Sequence, residues 1–124
     1  MASIEGRGPR QVLKAMRYSL QGLQAAYKYE SSFRLELYLF VLLAPVALYL
    51  GQGAIEKVLL VGALILVLVV ELLNGAVEAI VDKTTPEYNE LAGRSKDMGS
   101  AAVFLCMVNA VTVWGLILLP RLLK

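Results

Sequence analysis

A chain of 124 residues that is 58% hydrophobic, 18% charged and only +2 in net charge is too apolar for an ordinary soluble domain and too weakly basic to point to nucleic acid. Its mean hydropathy of +0.65 places it among membrane proteins. One cysteine, Cys106, and no histidine exclude an internal disulfide, histidine-assisted nucleophiles and histidine metal sites. Any acid–base chemistry falls to carboxylates, lysines or tyrosines.

At the N-terminus, Ile4-Glu5-Gly6-Arg7 spells a protease-recognition sequence, and residues 1–8 enter no fold assignment. Lys14 and Arg17 interrupt the first apolar run, which argues against a signal peptide. Residues 10–29 predict an amphipathic surface helix. Arg10, Lys14, Arg17, Gln21, Gln24 and Lys28 recur every three or four positions, offset from Val12, Leu13, Met16, Leu20, Leu23 and Tyr27. A basic wet face over an apolar one suits a helix lying on a membrane leaflet.

Three membrane spans follow. Residues 33–51 form the first, with Glu36 near its start and Pro45 expected to bend it. Residues 56–81 form the second, and residues 98–119, which carry no charge, form the third. Gly51-Gln52-Gly53 and Thr84-Thr85-Pro86 are the turn signals, and 82–97 reads as a loop. Lysines and arginines concentrate before the first span and in 82–97, so the N-terminus and that loop are expected in the cytoplasm. Tyr49 and Trp114 then fall toward the outer interface. The fold class expected is an all-α membrane protein forming one domain.

The second span carries Glu71, Asn74, Glu78 and Asp82 at intervals of three, four and four. At 100° per residue they share a sector of roughly 80° and rise about 16 Å. A carboxylate at membrane depth costs ~2.5–3.5 kcal/mol, whereas each Leu, Ile or Val of the run Val58–Val70 returns only ~0.3–0.6 kcal/mol. The stripe therefore faces other helices or a wet cleft, and Gly75 and Ala79 would let a neighbour approach beside it. It suits helix-to-helix hydrogen bonding, a proton or ion path, or a reaction between a water-soluble and a lipid-soluble substrate. The stretch Glu87-Tyr88-Asn89-Glu90-Leu91-Ala92-Gly93-Arg94-Ser95-Lys96-Asp97 favours the last. Its cations can meet phosphate, and Asp97 can accept from a ribose or orient Lys96. Neither a GxxxxGK[ST] nor a GxGxxG loop occurs.

The run VELLNGAVEAIVDK, followed by EYNELAGRSKDMGSAAV and preceded by KAMRYSLQGLQAAY and ESSFRLE, closely resembles the small integral-membrane diacylglycerol kinases of Gram-negative bacteria. The resemblance extends from about Arg10 to the end of the third span. It implies a homotrimer in the bacterial inner membrane that uses Mg-ATP to phosphorylate diacylglycerol to phosphatidic acid. By position, Glu71 matches the general base, and Glu30 and Glu78 match the metal-holding carboxylates. Gln11, Tyr18, Glu30, Glu78, Glu87, Tyr88, Asn89, Lys96 and Asp97 match the nucleotide positions. Ala15, Ser19, Ser32, Phe33, Arg34, Glu36, Glu71 and Ser100 match the lipid side, and Asn74 supports the base.

The chain departs from the family at Gln11, where an arginine is usual and Arg10 stands one residue earlier. Gln21 and Gln24 replace a lysine and an arginine. Within the family, undecaprenol is the competing acceptor. From other classes, a small proton-coupled transporter would use the acids but not the 87–97 stretch, and an inactive scaffold would use neither.

Overall fold

A computed structural model describes residues 8–84, 87 and 89–124 of the chain. It contains four helices in the order α1 (Pro9–Tyr29), α2 (Ser31–Leu50), α3 (Gly53–Thr84) and α4 (Glu90–Leu122). The last three are long and apolar enough to cross a membrane, so the chain reads as a multi-pass membrane protein.

Helix α1 starts with Pro9 at its first position, where a missing N–H costs nothing. Val12, Leu13, Met16 and Leu20 on its apolar face are all exposed, and only Ala26 is buried. No other helix covers that face, as expected of a helix resting on lipid. A single extended residue, Glu30, separates α1 from α2. Its N–H closes α1 onto the Ala26 carbonyl, and its own carbonyl accepts from the Arg34 N–H to open α2.

The corner is pinned by side chains. The Arg34 guanidinium donates to the Tyr27 and Lys28 carbonyls at 2.9 and 3.2 Å, capping the C-terminus of α1. The Tyr27 and Tyr38 hydroxyls meet at 2.6 Å. Helix α2 then continues unbroken through Pro45 to Leu50.

Between α2 and α3 the expected glycine turn is present, with Gly53 at φ +80°. At Gly51 a Cβ would fall 2.8 Å from Lys57 Cγ and 2.9 Å from the Ala47 carbonyl oxygen. Arg121, near the end of α4, ties three helix ends together. It donates to the Leu50 carbonyl at 2.9 Å and to both Glu56 carboxylate oxygens at 2.5 and 2.6 Å.

Helix α3 packs most extensively on α4, then on α2. Its buried positions are Leu60, Ala63, Val67, Glu71, Asn74 and Gly75, one stripe at helical spacing. Phe33 and Leu60 are the largest fully buried side chains. Lipid tails are as apolar as this core, so its cohesion rests on close packing and hydrogen bonds more than on expulsion of water.

The segment 82–97, expected as a loop, is mostly helical. Helix α3 continues to Thr84 and α4 begins at Glu90. The Asn89 side chain accepts from the Ala92 N–H at 2.9 Å, and this N-cap starts α4 two turns before its apolar run. Backbone helix bonds need no apolar side chains, so both helices outlast the hydrophobic stretches by which spans are recognised.

Candidate active site

The acidic stripe of α3 continues the buried stripe Leu60, Ala63, Val67 toward the Asp82 end. Glu71 is 6% exposed and Asn74 is 9% exposed, and neither faces the open surface. Asn74 donates through Nδ2 to Glu78 Oε1 at 3.3 Å, one turn further along. Its Oδ1 is buried with no hydrogen-bond partner among the described residues. Glu78 is half-buried and Asp82 is exposed, so the stripe grades from wet to dry.

Two carboxylates from outside α3 join it. Glu36 of α2 is 8% exposed and lies beside Glu71. One Glu36 oxygen, Oε2, is buried without a partner among the described residues. Glu30, at the α1–α2 corner, packs on Gly75: a Cβ there would stand 3.2 Å from Glu30 Cδ. The space allowed by Gly75, read from the sequence as room for a helix backbone, is taken by this side chain. The extended backbone at Glu30 is what turns it toward α3.

Gly99 of α4 meets the same stripe from the other side. A Cβ on Gly99 would overlap Asn74 Oδ1. No sequence signal singled out this contact, because a glycine within a helical run has many explanations.

An open groove of about 690 Å³ lies between α1 and α3, lined by Ser19, Leu23, Tyr29, Glu30, Gly75 and Ala79 among others. Its lining is almost wholly apolar, with Glu30 the one carboxylate among the described residues that line it. Ala15, Tyr18 and Ser32 are exposed, whereas Phe33 is buried. Gln11, at the start of α1, is half-buried. Arg34 is engaged with the end of α1.

Of the residues expected at the nucleotide, Lys96 forms an ion pair with Asp82 at 2.9 Å. Asp82 therefore orients this lysine, a role the sequence offered to Asp97. The hydrogen bond to Asp82 and then its charge raise the pKa of the Lys96 ammonium, with Glu78 adding in the same direction. Lys96 is thus within electrostatic reach of Glu78 and joins the far end of the stripe. Glu87 and Asp97 are exposed, as is Ser100, and the Asn89 oxygen caps α4. Tyr88 lies outside the described residues.

Three elements thus contribute separate pairings to this region, Glu36 beside Glu71, Glu30 against Gly75 and Asn74 bonded to Glu78, and among the described residues no three acidic side chains converge closely enough to hold a metal ion by themselves. A buried carboxylate such as Glu71 can accept a proton from an alcohol, one or two of the other carboxylates can meet a divalent cation whose remaining ligands are phosphate and water, and the groove can admit an amphipathic substrate.

The sequence profile of a family described as prokaryotic diacylglycerol kinase matches residues 17–118. The chain is 44% identical over 111 residues to a diacylglycerol kinase of Haemophilus influenzae, covering 90% of this chain and 94% of that one. To the diacylglycerol kinase of Escherichia coli strain K12 it is 45% identical over 111 residues, covering 90% and 91%. A Pseudomonas aeruginosa diacylglycerol kinase is 42% identical over 112 residues, again covering 90% and 91%.

Proposed function

This chain belongs to the prokaryotic diacylglycerol kinase family, and on that premise we propose that it transfers the γ-phosphate of ATP to the free hydroxyl of diacylglycerol, giving phosphatidic acid and ADP. The observation that carries this reading is the buried acidic stripe. Glu71 stands deep at the α2–α3 contact, and Glu78 and Glu30 lie nearer the wet end. Glu71 and Glu78 are two helical turns, about 10 Å, apart. That spacing supports one carboxylate at the lipid hydroxyl and another at the phosphates.

Phosphoryl transfer asks the protein chiefly for alignment and charge neutralisation. Glu71 accepts the proton of the lipid hydroxyl as its oxygen bonds to the γ-phosphorus and the bond to the ADP oxygen breaks. Asn74 holds Glu78 through Nδ2. Glu30 and Glu78 are the carboxylates that would hold a Mg²⁺ ion, which takes one or two protein carboxylates and completes its shell from phosphate and water. When bound, the ion supplies neutralisation of phosphate charge. Lys96, held by Asp82, lies on the side from which a soluble nucleotide arrives, with Glu87, Asn89 and Asp97 close in sequence. The apolar groove between α1 and α3 offers acyl chains a lateral route to Glu30 and the stripe. The N-terminus and the α3–α4 connection face the cytoplasm, where ATP is found, and three copies assemble in the inner membrane.

The test is ATP-dependent phosphate transfer in mixed micelles to diacylglycerol and to undecaprenol, with Glu71→Gln and Glu78→Gln in parallel. Transfer to diacylglycerol that Glu71→Gln lowers at every Mg²⁺ concentration and Glu78→Gln lowers at limiting Mg²⁺ supports the reading. Transfer to undecaprenol alone replaces the acceptor, and transfer to neither overturns the kinase assignment.

A further inference from the structure

Glu36 and Glu71 are carboxyl groups lying side by side in the interior of the chain. They come from different helices, α2 and α3, and are 8% and 6% exposed. The ion pairs among the described residues lie elsewhere, Lys96 on Asp82 and Arg121 on Glu56. Two adjoining carboxylates removed from water, with no cation paired to either, do not both stay ionised, because repulsion and lost hydration act in the same direction. One proton is shared between the two groups.

Which carboxyl keeps it follows from the oxygens. Glu36 Oε2 is enclosed and has no hydrogen-bond partner, and neither Glu71 oxygen is in that state among the described residues. A negative charge on Glu36 would spread onto an oxygen that neither a donor nor water reaches. A protonated Glu36 instead needs one acceptor for its O–H, and Glu71 supplies it. The helices differ in the same sense. One turn beyond Glu36 stand the apolar Leu39 and Phe40, whereas one turn beyond Glu71 stands Asn74, followed by Glu78.

We propose that Glu36 holds this proton and donates it in a hydrogen bond to the Glu71 carboxylate, as the positioning residue for the base. The role rests on the reading of Glu71 as proton acceptor, and it differs from a contact with the lipid, the part to which the resemblance assigns Glu36. A glutamate side chain is long and rotamer-rich, and the Glu36 O–H fixes one Glu71 oxygen while leaving the other for the alcohol. When Glu71 takes the alcohol's proton, the pair passes from one proton and one negative charge to two protons and none. The displaced charge leaves on the phosphorylated lipid and ADP. Glu71 then returns its proton to water before the next turnover, and Glu36 keeps its own throughout.

The full chain in mixed micelles with diacylglycerol and Mg-ATP tests this. Glu36→Gln keeps a neutral donor of similar shape and should lower kcat by no more than about fivefold, the weight of a typical hydrogen bond. Glu36→Leu removes the donor and should lower kcat about 10²-fold, the loss that goes with a misplaced catalytic group, with the KM for diacylglycerol little changed. Infrared spectroscopy at neutral pH reads the proton without turnover. The carbonyl band of a protonated carboxylic acid should be present in the unaltered chain and in Glu71→Gln, and absent from Glu36→Gln. Both infrared arms stand if Glu36→Leu fails to fold. Glu36→Gln as damaging as Glu36→Leu means that Glu36 acts as a charge, and overturns the proposal. So does an undiminished kcat in Glu36→Leu, a loss confined to the KM for diacylglycerol, or a band that disappears with Glu71→Gln. Turnover retained by Glu71→Gln would sink the base assignment itself, and the infrared band keeps the two failures apart.

Discussion

Gly99 and Asn74 are in contact across α3 and α4 so closely that a Cβ on Gly99 would overlap Asn74 Oδ1. The hydrogen that Gly99 carries in place of a Cβ points at that otherwise unpartnered oxygen, a weak Cα–H···O contact. Gly99→Ala therefore pushes the carboxamide off Glu78, or the two helices apart. The expected outcome is a loss of about 1–3 kcal/mol in stability, with a fall in kcat larger than any change in KM for ATP. Thermal unfolding in micelles and steady-state kinetics check it, and Gly99→Ala with Asn74→Ala should be no worse than Asn74→Ala alone.

Glu71 and Glu78 should fail differently. Glu71→Gln removes the proton acceptor, so kcat drops about 10²–10⁴-fold at an unchanged Mg²⁺ requirement. Glu78→Gln and Glu30→Gln should instead raise the Mg²⁺ concentration needed for half-maximal rate. Metal titrations of the three variants separate the roles.

Gly75→Ala is a milder probe of the same corner. The new Cβ would lie 3.2 Å from Glu30 Cδ, tighter than ordinary contact, but the end of a glutamate side chain can move by a few tenths of an ångström. Stability should stay within about 0.5 kcal/mol, while the Mg²⁺ requirement rises a few-fold. Equal losses of stability and metal affinity would mean that Glu30 only packs there.

How much of this was legible in the sequence depends on the range of the interaction. The buried stripe of α3 was readable because 71, 74 and 78 share a face by helical geometry alone. The surface helix was readable for the same reason. The N-cap at Asn89 carried a local signal, an Asn before an acidic first turn, which the long charged stretch around it masked. Glu30 on Gly75 was not readable as a contact, because it depends on a one-residue break that no hydrophobic period records. The Glu56–Arg121 pair joins residues at the outer ends of two different runs, and sequence spacing says nothing about which ends meet.

Asp82→Asn should shift the pH profile rather than the fold. The Asp82 carboxylate raises the pKa of Lys96, so the lysine stays protonated at higher pH than it would alone. If Lys96 neutralises nucleotide phosphate, the alkaline limb of kcat/KM for ATP should move to lower pH in Asp82→Asn. The pair is largely exposed, so the unfolding midpoint should barely move.

At the opposite end, Arg121→Ala frees the Leu50 carbonyl and the Glu56 carboxylate together. The unfolding midpoint in micelles should fall by roughly 3–6 °C, with kcat little changed because the acidic stripe lies at the other end of α3.

Glu30 is a pivot as well as a carboxylate. Helix α1 is 21 residues long, and the extended residue that joins it to α2, at a corner pinned by Arg34 and Tyr38, is the one that reaches Gly75. The position of the Glu30 carboxylate on α3 is thereby set by the angle between α1 and α2, and the three long helices alone would leave the space over Gly75 without it.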